Sequence, residues 1–380
     1  MISKHKKVIG VLTSSRADYG IYYPLLKRIA DSAEYDLSLI AFGSHTSKLH
    51  GYTIDAIEAD GFEVDYKLKT QTGNDEPNDV STSMGITLLK FSDFWEVHHS
   101  RFALVFCLGD RFEMLAAVLA AVPYGITFAH VHGGEKTLGA MDNSFRHCIS
   151  HFSKIHFTSL PEYASRVSKL IESSENIHIV GALSLENVGT VKLLSPEEFL
   201  EKWGVDLRKP TVLVTVHPET IEYENNAHFA DELIKSLEHI VNRFQLLITM
   251  PNADTKASAY RKAFLALAAE HSTSVFTIEN LGTQSYFTSM KYCSFLLGNT
   301  SSGIIEAASF EKNVINLGKR QDGRISGDNV HHVDFDTEAI MRKVENLAGM
   351  SPYTGGNIYH RTGSSKLIMQ EVDSYLSKGE

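Results

Sequence analysis

Short apolar, β-branched runs alternate with longer helical patterns along this chain, and the alternation starts over once near its middle. A strand, a helix and a further strand running the same way build a βαβ unit, so the rhythm predicts parallel sheets covered by helices on both faces. The first half predicts strands at Val8–Leu12, Leu37–Ile40, Leu104–Leu108, Thr127–Val131, Ile155–Thr158 and Ile177–Val180. The second predicts Thr211–Val216, Leu246–Ile248, Val275–Thr277, Phe295–Leu297 and Val314–Leu317. A chain of 380 residues exceeds the size at which one core usually keeps growing, so the restart implies a second domain.

The expected organisation is α/β, with two Rossmann-like doubly wound domains at 1–182 and 183–362 and a ligand site in a central cleft. An amphipathic helix over 363–380 closes one of them, the first being the expected partner. Ser195-Pro196-Glu197-Glu198 reads as a capped helix start in the second domain. Lys69 to Met84 is polar and reads as a loop over the first domain that could serve as a lid.

Composition narrows the partners. A net charge of −10 argues against a nucleic acid or an anionic membrane surface, since both call for a basic field. The 3 cysteines, Cys107, Cys148 and Cys293, have no paired spacing, which suits a reducing, cytoplasmic setting and no disulfide framework. The apolar run after the basic start is of strand length. The run from Leu115 is stopped by Pro123, short of the roughly 20 residues a membrane helix needs.

Ligands of open parallel sheets bind beyond the carboxyl ends of the strands, so the polar residues there are the candidates. After the first strand come Ser14-Ser15-Arg16, where Arg16 offers a bidentate fork to a diphosphate. Neither a dinucleotide fingerprint nor a P-loop is present, so nicotinamide chemistry and phosphoryl transfer are not indicated. Gly109-Asp110-Arg111 follows the Leu104 strand and makes Asp110 an acid/base candidate. The next strand delivers His130-Val131-His132-Gly133-Gly134-Glu135, then Asp142 and Arg146, the densest polar stretch of the chain. Carboxylates, histidines and an arginine so close together can tune an acid and a base apart. A metal at His130, His132 and Glu135 is disfavoured, because no third histidine at helical spacing completes the set.

In the second half His217 directly follows a strand and is a further acid/base candidate. Gly298-Asn299-Thr300-Ser301-Ser302-Gly303 runs from a strand into a helix as a phosphate cradle, with Glu306 placed for ribose hydroxyls. Asn252, Gly282, Gly303 and Arg320 complete the expected nucleotide-binding set.

Taken in order, Ser15 to Gly20, Leu108 to Arg111, His132 to Glu135, His217 to Thr220 and Gly298 to Gly303 resemble the UDP-N-acetylglucosamine 2-epimerases. The His-Gly-Gly-Glu-Lys-Thr form of the middle motif is most similar to the hydrolysing branch that supplies sialic acid-type sugars. That resemblance implies a glycosyltransferase-B-like fold, UDP held mainly by the C-terminal domain, no metal and no other cofactor, and a homodimer. It also implies elimination of UDP to a 2-acetamidoglucal, followed by rehydration to N-acetylmannosamine or an analogue.

On the same basis Arg16, Ser301, Ser302 and Glu306 hold the diphosphate and ribose. Asp110, Glu135 and Asp142 are the acid/base carboxylates, Arg146 orients them and His217 assists the leaving phosphate. Several relatives carry a carboxylate at the position of His132. The expected C2 base is a carboxylate, Glu135, with His132 as the competing choice. The substrate expected is UDP-N-acetylglucosamine, with UDP-diacetylbacillosamine or a GDP-linked analogue as the alternative. A glycosyltransferase or a non-catalytic sugar-nucleotide binder of the same fold is the competing class.

Overall fold

The computed structural model describes residues 6–47, 52–71, 76–221, 223–251 and 257–378. The chain divides into two compact units. The first takes the chain up to Glu135, then Asp142–Asn187 and everything from Tyr359 on. The second takes Lys136–Met141 and Val188–Ile358.

The first unit is built on β1 (Lys7–Thr13), β2 (Tyr35–Ala41), β3 (Tyr66–Lys67), β4 (Phe102–Leu108), β5 (Phe128–Val131), β6 (Ile155–Thr158) and β7 (Ile177–Ile179). These pair in parallel in the order β3-β2-β1-β4-β5-β6-β7. The second unit holds β8 (Thr211–Thr215), β9 (Gln245–Thr249), β10 (Val275–Ile278), β11 (Phe295–Gly298), β12 (Val314–Leu317) and β13 (Val330–Val333). Their order, β10-β9-β8-β11-β12-β13, repeats the same winding in parallel. In each sheet the order in which strands are added therefore reverses once, between β1 and β4 in the first unit and between β8 and β11 in the second. That is where doubly wound sheets take their ligands.

Alternation along the strands sends side chains to opposite faces and explains why both faces are apolar. Ile9 and Val11 of β1, with Leu104 and Phe106 of β4, join one core. Tyr22, Leu25 and Ile29 of the helix Arg16–Ala30 pack against it. Leu12, Val105 and Cys107 point to the other face, where Phe91, Phe94 and Trp95 of the helix Pro77–His98 meet Met114 and Val118 of the helix Phe112–Ala121. Trp95 satisfies its indole N–H on the Ala117 carbonyl at 3.1 Å. Each such fully buried side chain stabilises the fold by roughly 1.5–3 kcal/mol.

The helix Ser364–Ser377 buries Ile368, Met369 and Val372 in the first unit's core. Arg28 and Tyr35 hold it through Ser365 at 2.8 Å and Asp373 at 2.6 Å. In the second unit Val212, Val214, Leu246, Ile248, Leu297 and Ile315 form the matching core.

The expected strands are all present, joined by β3 and β13. The Lys69 to Met84 reading needs correction. Residues 72–75 lie outside the described residues, and from Pro77 on the stretch is the first two turns of a 22-residue helix. Pro77 occupies the first helical turn, where its missing N–H costs nothing and its fixed φ favours the helix, so polarity there marks an exposed helical start. Ser195 caps the helix Pro196–Trp203 with a reciprocal capping box, as its sequence indicates.

Candidate active site

The turn after β1 is organised by Asp18. Its carboxylate accepts from the Ser14 backbone N–H at 2.7 Å, from the Ser14 hydroxyl at 3.1 Å and from the Ser15 hydroxyl. It thereby satisfies the turn that leads into the helix opened by Arg16, which is half-buried.

Across the sheet's switch point, Asp110 follows β4. The fully buried Arg146 guanidinium reaches the Asp110 carboxylate with one nitrogen and the Glu135 carbonyl with another, at 2.8 Å. Asp142 opens the helix Asp142–Phe152 that carries Arg146 one turn later. Glu135, 2% exposed, accepts from His132 Nδ1 at 2.8 Å and from the Ser159 hydroxyl at 3.2 Å. Four of the sequence candidates, Asp110, His132, Glu135 and Arg146, thus form one connected network.

His130 stands apart from it chemically. Its Nε2–H donates to the Gly109 carbonyl at 2.8 Å, and its Nδ1 accepts from the Ser150 hydroxyl at 3.0 Å. Burial pushes its pKa down to about 3, the Gly109 hydrogen bond opposing only in part. Both ring nitrogens are committed to the neutral fold, which removes the metal reading of the His130–His132 pair.

Gly134 lets the loop turn at φ +79°. A Cβ there would overlap the Tyr163 carbonyl, so no other residue fits at position 134.

In the second unit, Asn299 holds the backbone of His217. Its Oδ1 accepts from the His217 N–H and its Nδ2 donates to the His217 carbonyl, each at 2.8 Å. Arg320 reaches the Asn299 carbonyl at 3.5 Å, and Gln321 reaches it at 2.9 Å. Gly298 brings β11 so close to β8 that a Cβ would overlap the Thr215 carbonyl. Thr300 caps the short helix Ser301–Ile305, accepting from the Ser302 N–H. The Ser302 hydroxyl pairs with Tyr286 at 2.6 Å. Glu306, 6% exposed, closes that turn. Gly303 is buried within it, and Gly282 opens the helix Gly282–Tyr292 at φ +66°. Asn252 lies outside the described residues.

Lys136–Met141 is held within this unit. Leu138 N–H donates to the Asp322 carbonyl at 2.9 Å, Thr220 N–H to the Gly139 carbonyl at 3.3 Å, and Met141 N–H to the Thr220 hydroxyl at 2.9 Å.

The profile of the family described as UDP-N-acetylglucosamine 2-epimerase matches residues 27–373. Polysialic acid biosynthesis protein P7 of Escherichia coli is 33% identical over 339 residues, covering 89% of this chain and 85% of that one. The hydrolysing UDP-N,N'-diacetylbacillosamine 2-epimerase of Legionella pneumophila is 34% identical over 336 residues, covering 88% and 87%. The chain belongs to the UDP-N-acetylglucosamine 2-epimerase family. The UDP-GlcNAc 2-epimerase of Neisseria meningitidis, solved bound to UDP-GlcNAc, superposes with a TM-score of 0.81 at 16% identity, covering 97% of this chain and 100% of that one. The two-unit fold is accordingly glycosyltransferase-B-like.

The roles of four polar groups of this epimerase are not legible in its sequence. Glu113 is fully buried in an apolar helix; burial raises its pKa, and Arg111, donating twice at 3.2 Å, opposes the rise. The signal was available, a lone charge in the run from Phe112 to Ala121. His45 is buried between Thr13 at 2.9 Å and Thr53 at 2.6 Å, and burial lowers its pKa. Tyr286 is half-buried with its hydroxyl paired to Ser302, and burial of the phenol pushes its pKa up to about 12. Asn299 was read as part of a phosphate cradle, but its side chain serves His217. Nothing in the local sequence marks His45, Tyr286 or Asn299, because their partners come from other elements of the fold. Among the described residues no helix is long and apolar enough to cross a membrane.

Proposed function

We propose that this epimerase converts UDP-N-acetylglucosamine to free N-acetylmannosamine and UDP, by elimination to a 2-acetamidoglucal and rehydration. The observation that supports it most is the buried network of Asp110, Arg146, Glu135 and His132 beside the switch point of the first sheet. It provides titratable groups held by a fully buried cation, the arrangement that moving a weakly acidic C2 proton requires. One such group contributes on the order of 10²–10⁴ in rate, so several must cooperate with stabilisation of the departing UDP.

In this reading Asp110, Glu135, Asp142 and His132 form the acid/base set and Arg146 fixes its geometry. His217, clamped by Asn299, assists the leaving phosphate. Arg16, Asn252, Gly282, Ser301, Ser302, Gly303, Glu306 and Arg320 bind the nucleotide. The product suits sialic acid-type sugar synthesis for a surface polysaccharide, made in the cytoplasm by a homodimer.

A second substrate has its own support, since relatives from Legionella pneumophila and Campylobacter jejuni, 34% and 30% identical, are named for diacetylbacillosamine. Proton NMR in heavy water on a panel of UDP- and GDP-sugars tests both. The sugar turned over gives UDP and the 2-epimer carrying deuterium at C2. A transferase would keep the C2 hydrogen, and a binder would return intact substrate.

A further inference from the structure

His132 is the first residue after β5 and has φ +65°, the left-handed region that costs a side-chain-bearing residue on the order of 1–3 kcal/mol. Such a conformation persists only where the surroundings impose it. Here the His132 N–H donates to the Phe157 carbonyl at 2.9 Å, and the ring is gripped by Glu135 Oε1 at 2.8 Å. With the carboxylate ionised, and so only accepting, and the ring neutral, the ring proton sits on Nδ1 and leaves the lone pair on Nε2. Nε2 is buried and has no partner among the described residues, in a side chain 7% exposed. Leaving a buried acceptor unmade costs about 1–3 kcal/mol, and with its other nitrogen fixed by Glu135 the ring has Nε2 available to a ligand. Glu135 Oε1, by contrast, is engaged by both His132 and Ser159.

We infer that His132 takes the C2 proton of the substrate and that Glu135 is its positioning residue. The inference rests on the epimerase reading above and reverses the expectation that the carboxylate is the base. In the step, the C2–H bond breaks and its proton goes to His132 Nε2. The released electron pair becomes the C1=C2 bond, and the C1–O pair leaves on the diphosphate oxygen of UDP. The imidazolium faces the Glu135 carboxylate. A different acid then protonates C2 from the opposite face, which inverts that carbon, while water adds its hydroxyl to C1 and its remaining proton restores that acid. His132 returns its proton to solvent.

The test uses the full-length protein, wild type, His132→Gln and Glu135→Gln, in two assays. One follows UDP release from UDP-N-acetylglucosamine and from its diacetylbacillosamine counterpart. The other follows hydration of 2-acetamidoglucal supplied with UDP, which needs no C2 deprotonation. The expected result is that His132→Gln loses on the order of 10²–10⁴ in kcat for UDP release at nearly unchanged KM, yet still hydrates the glycal. Glu135→Gln lowers kcat by less, again with KM held. Wild-type UDP release by His132→Gln, loss of both half-reactions in it, or a larger loss in Glu135→Gln would overturn the inference. A wild-type protein that neither releases UDP nor hydrates the glycal would instead defeat the epimerase reading itself.

Discussion

Asn299 grips the backbone of His217 from both sides, accepting from its N–H and donating to its carbonyl at 2.8 Å each. A side chain of one strand end thus replaces the two hydrogen bonds that a neighbouring strand would have made. Asn299→Ala leaves two buried backbone groups unmade, and the expected loss is about 2–3 kcal/mol by urea denaturation. Turnover should fall further than nucleotide affinity, because His217 is displaced while the serines of the next turn remain. Equal losses in both would show that the clamp serves the whole loop and not His217.

Gly134 separates His132 from Glu135 at a position that only glycine can occupy. Gly134→Ala should cost more than about 2 kcal/mol, combining a left-handed backbone penalty with a clash against the Tyr163 carbonyl. Activity should disappear in the fraction that still folds. A variant with a wild-type unfolding midpoint would refute the steric argument.

His156 and His130 are buried as neutral rings, and burial draws their pKa values down to about 4 and about 3. Unfolded histidine titrates near 6.5, so below that pH the unfolded chain binds protons the folded chain refuses, and stability falls as pH drops toward 4. At pH 5 each ring costs on the order of 2 kcal/mol relative to pH 7, from about 1.36 kcal/mol per pH unit. Neither nitrogen of His156 has a hydrogen-bond partner among the described residues, so His156→Leu should leave stability at pH 7 unchanged or raised. Its decline toward pH 5 should be shallower. Denaturant midpoints at both values decide the matter, and an unchanged slope would count against it.

Arg111 and Glu113 form a buried pair with unequal exposure, 19% and 0% for the side chains. Arg111→Ala strands a buried carboxyl and should cost about 3 kcal/mol or more. Replacing both by apolar residues of similar volume should cost less than that single change. A double-mutant cycle in which the double variant is the less stable would contradict this.

Ser302, capped by Thr300 and paired with Tyr286 at 2.6 Å, stands in the proposed nucleotide cradle. Ser302→Ala should weaken UDP binding about tenfold by calorimetry, the equivalent of about 1.4 kcal/mol, with little change in stability. Unaltered affinity would move the diphosphate away from this turn.

Most of the strands could be read from the sequence because a doubly buried parallel strand is a continuous apolar run. β3 could not, being only Tyr66 and Lys67, and β13 was hidden by His331 and His332 at its centre. The first turns of the helix Pro77–His98 have the sequence of a loop, since Asn78, Asp79, Ser81 and Ser83 are polar and only Pro77 announces the start. At the site, the candidate types were visible as strand-end residues. Their division of labour was not, because it depends on which partner each meets. His130 and His132 are two residues apart in one motif, yet one has both nitrogens spent on the fold and the other has one to spare. Likewise Asp18, Glu113 and Asn299 serve the backbone or a buried ion pair through contacts that no local pattern encodes.

The assignment of Lys136–Met141 to the second unit, with Glu135 and Asp142 on either side assigned to the first, means the chain changes unit four times. The two halves are therefore not portable cassettes. Severing the chain after Asn187 would strand the Leu138, Gly139 and Met141 hydrogen bonds on the wrong fragment. Chimeras between this epimerase and its relatives should work only when the six-residue tongue is exchanged together with the loops around Thr220 and Asp322 that receive it. In evolutionary terms the two units are yoked, and neither can be traded without a piece of the other.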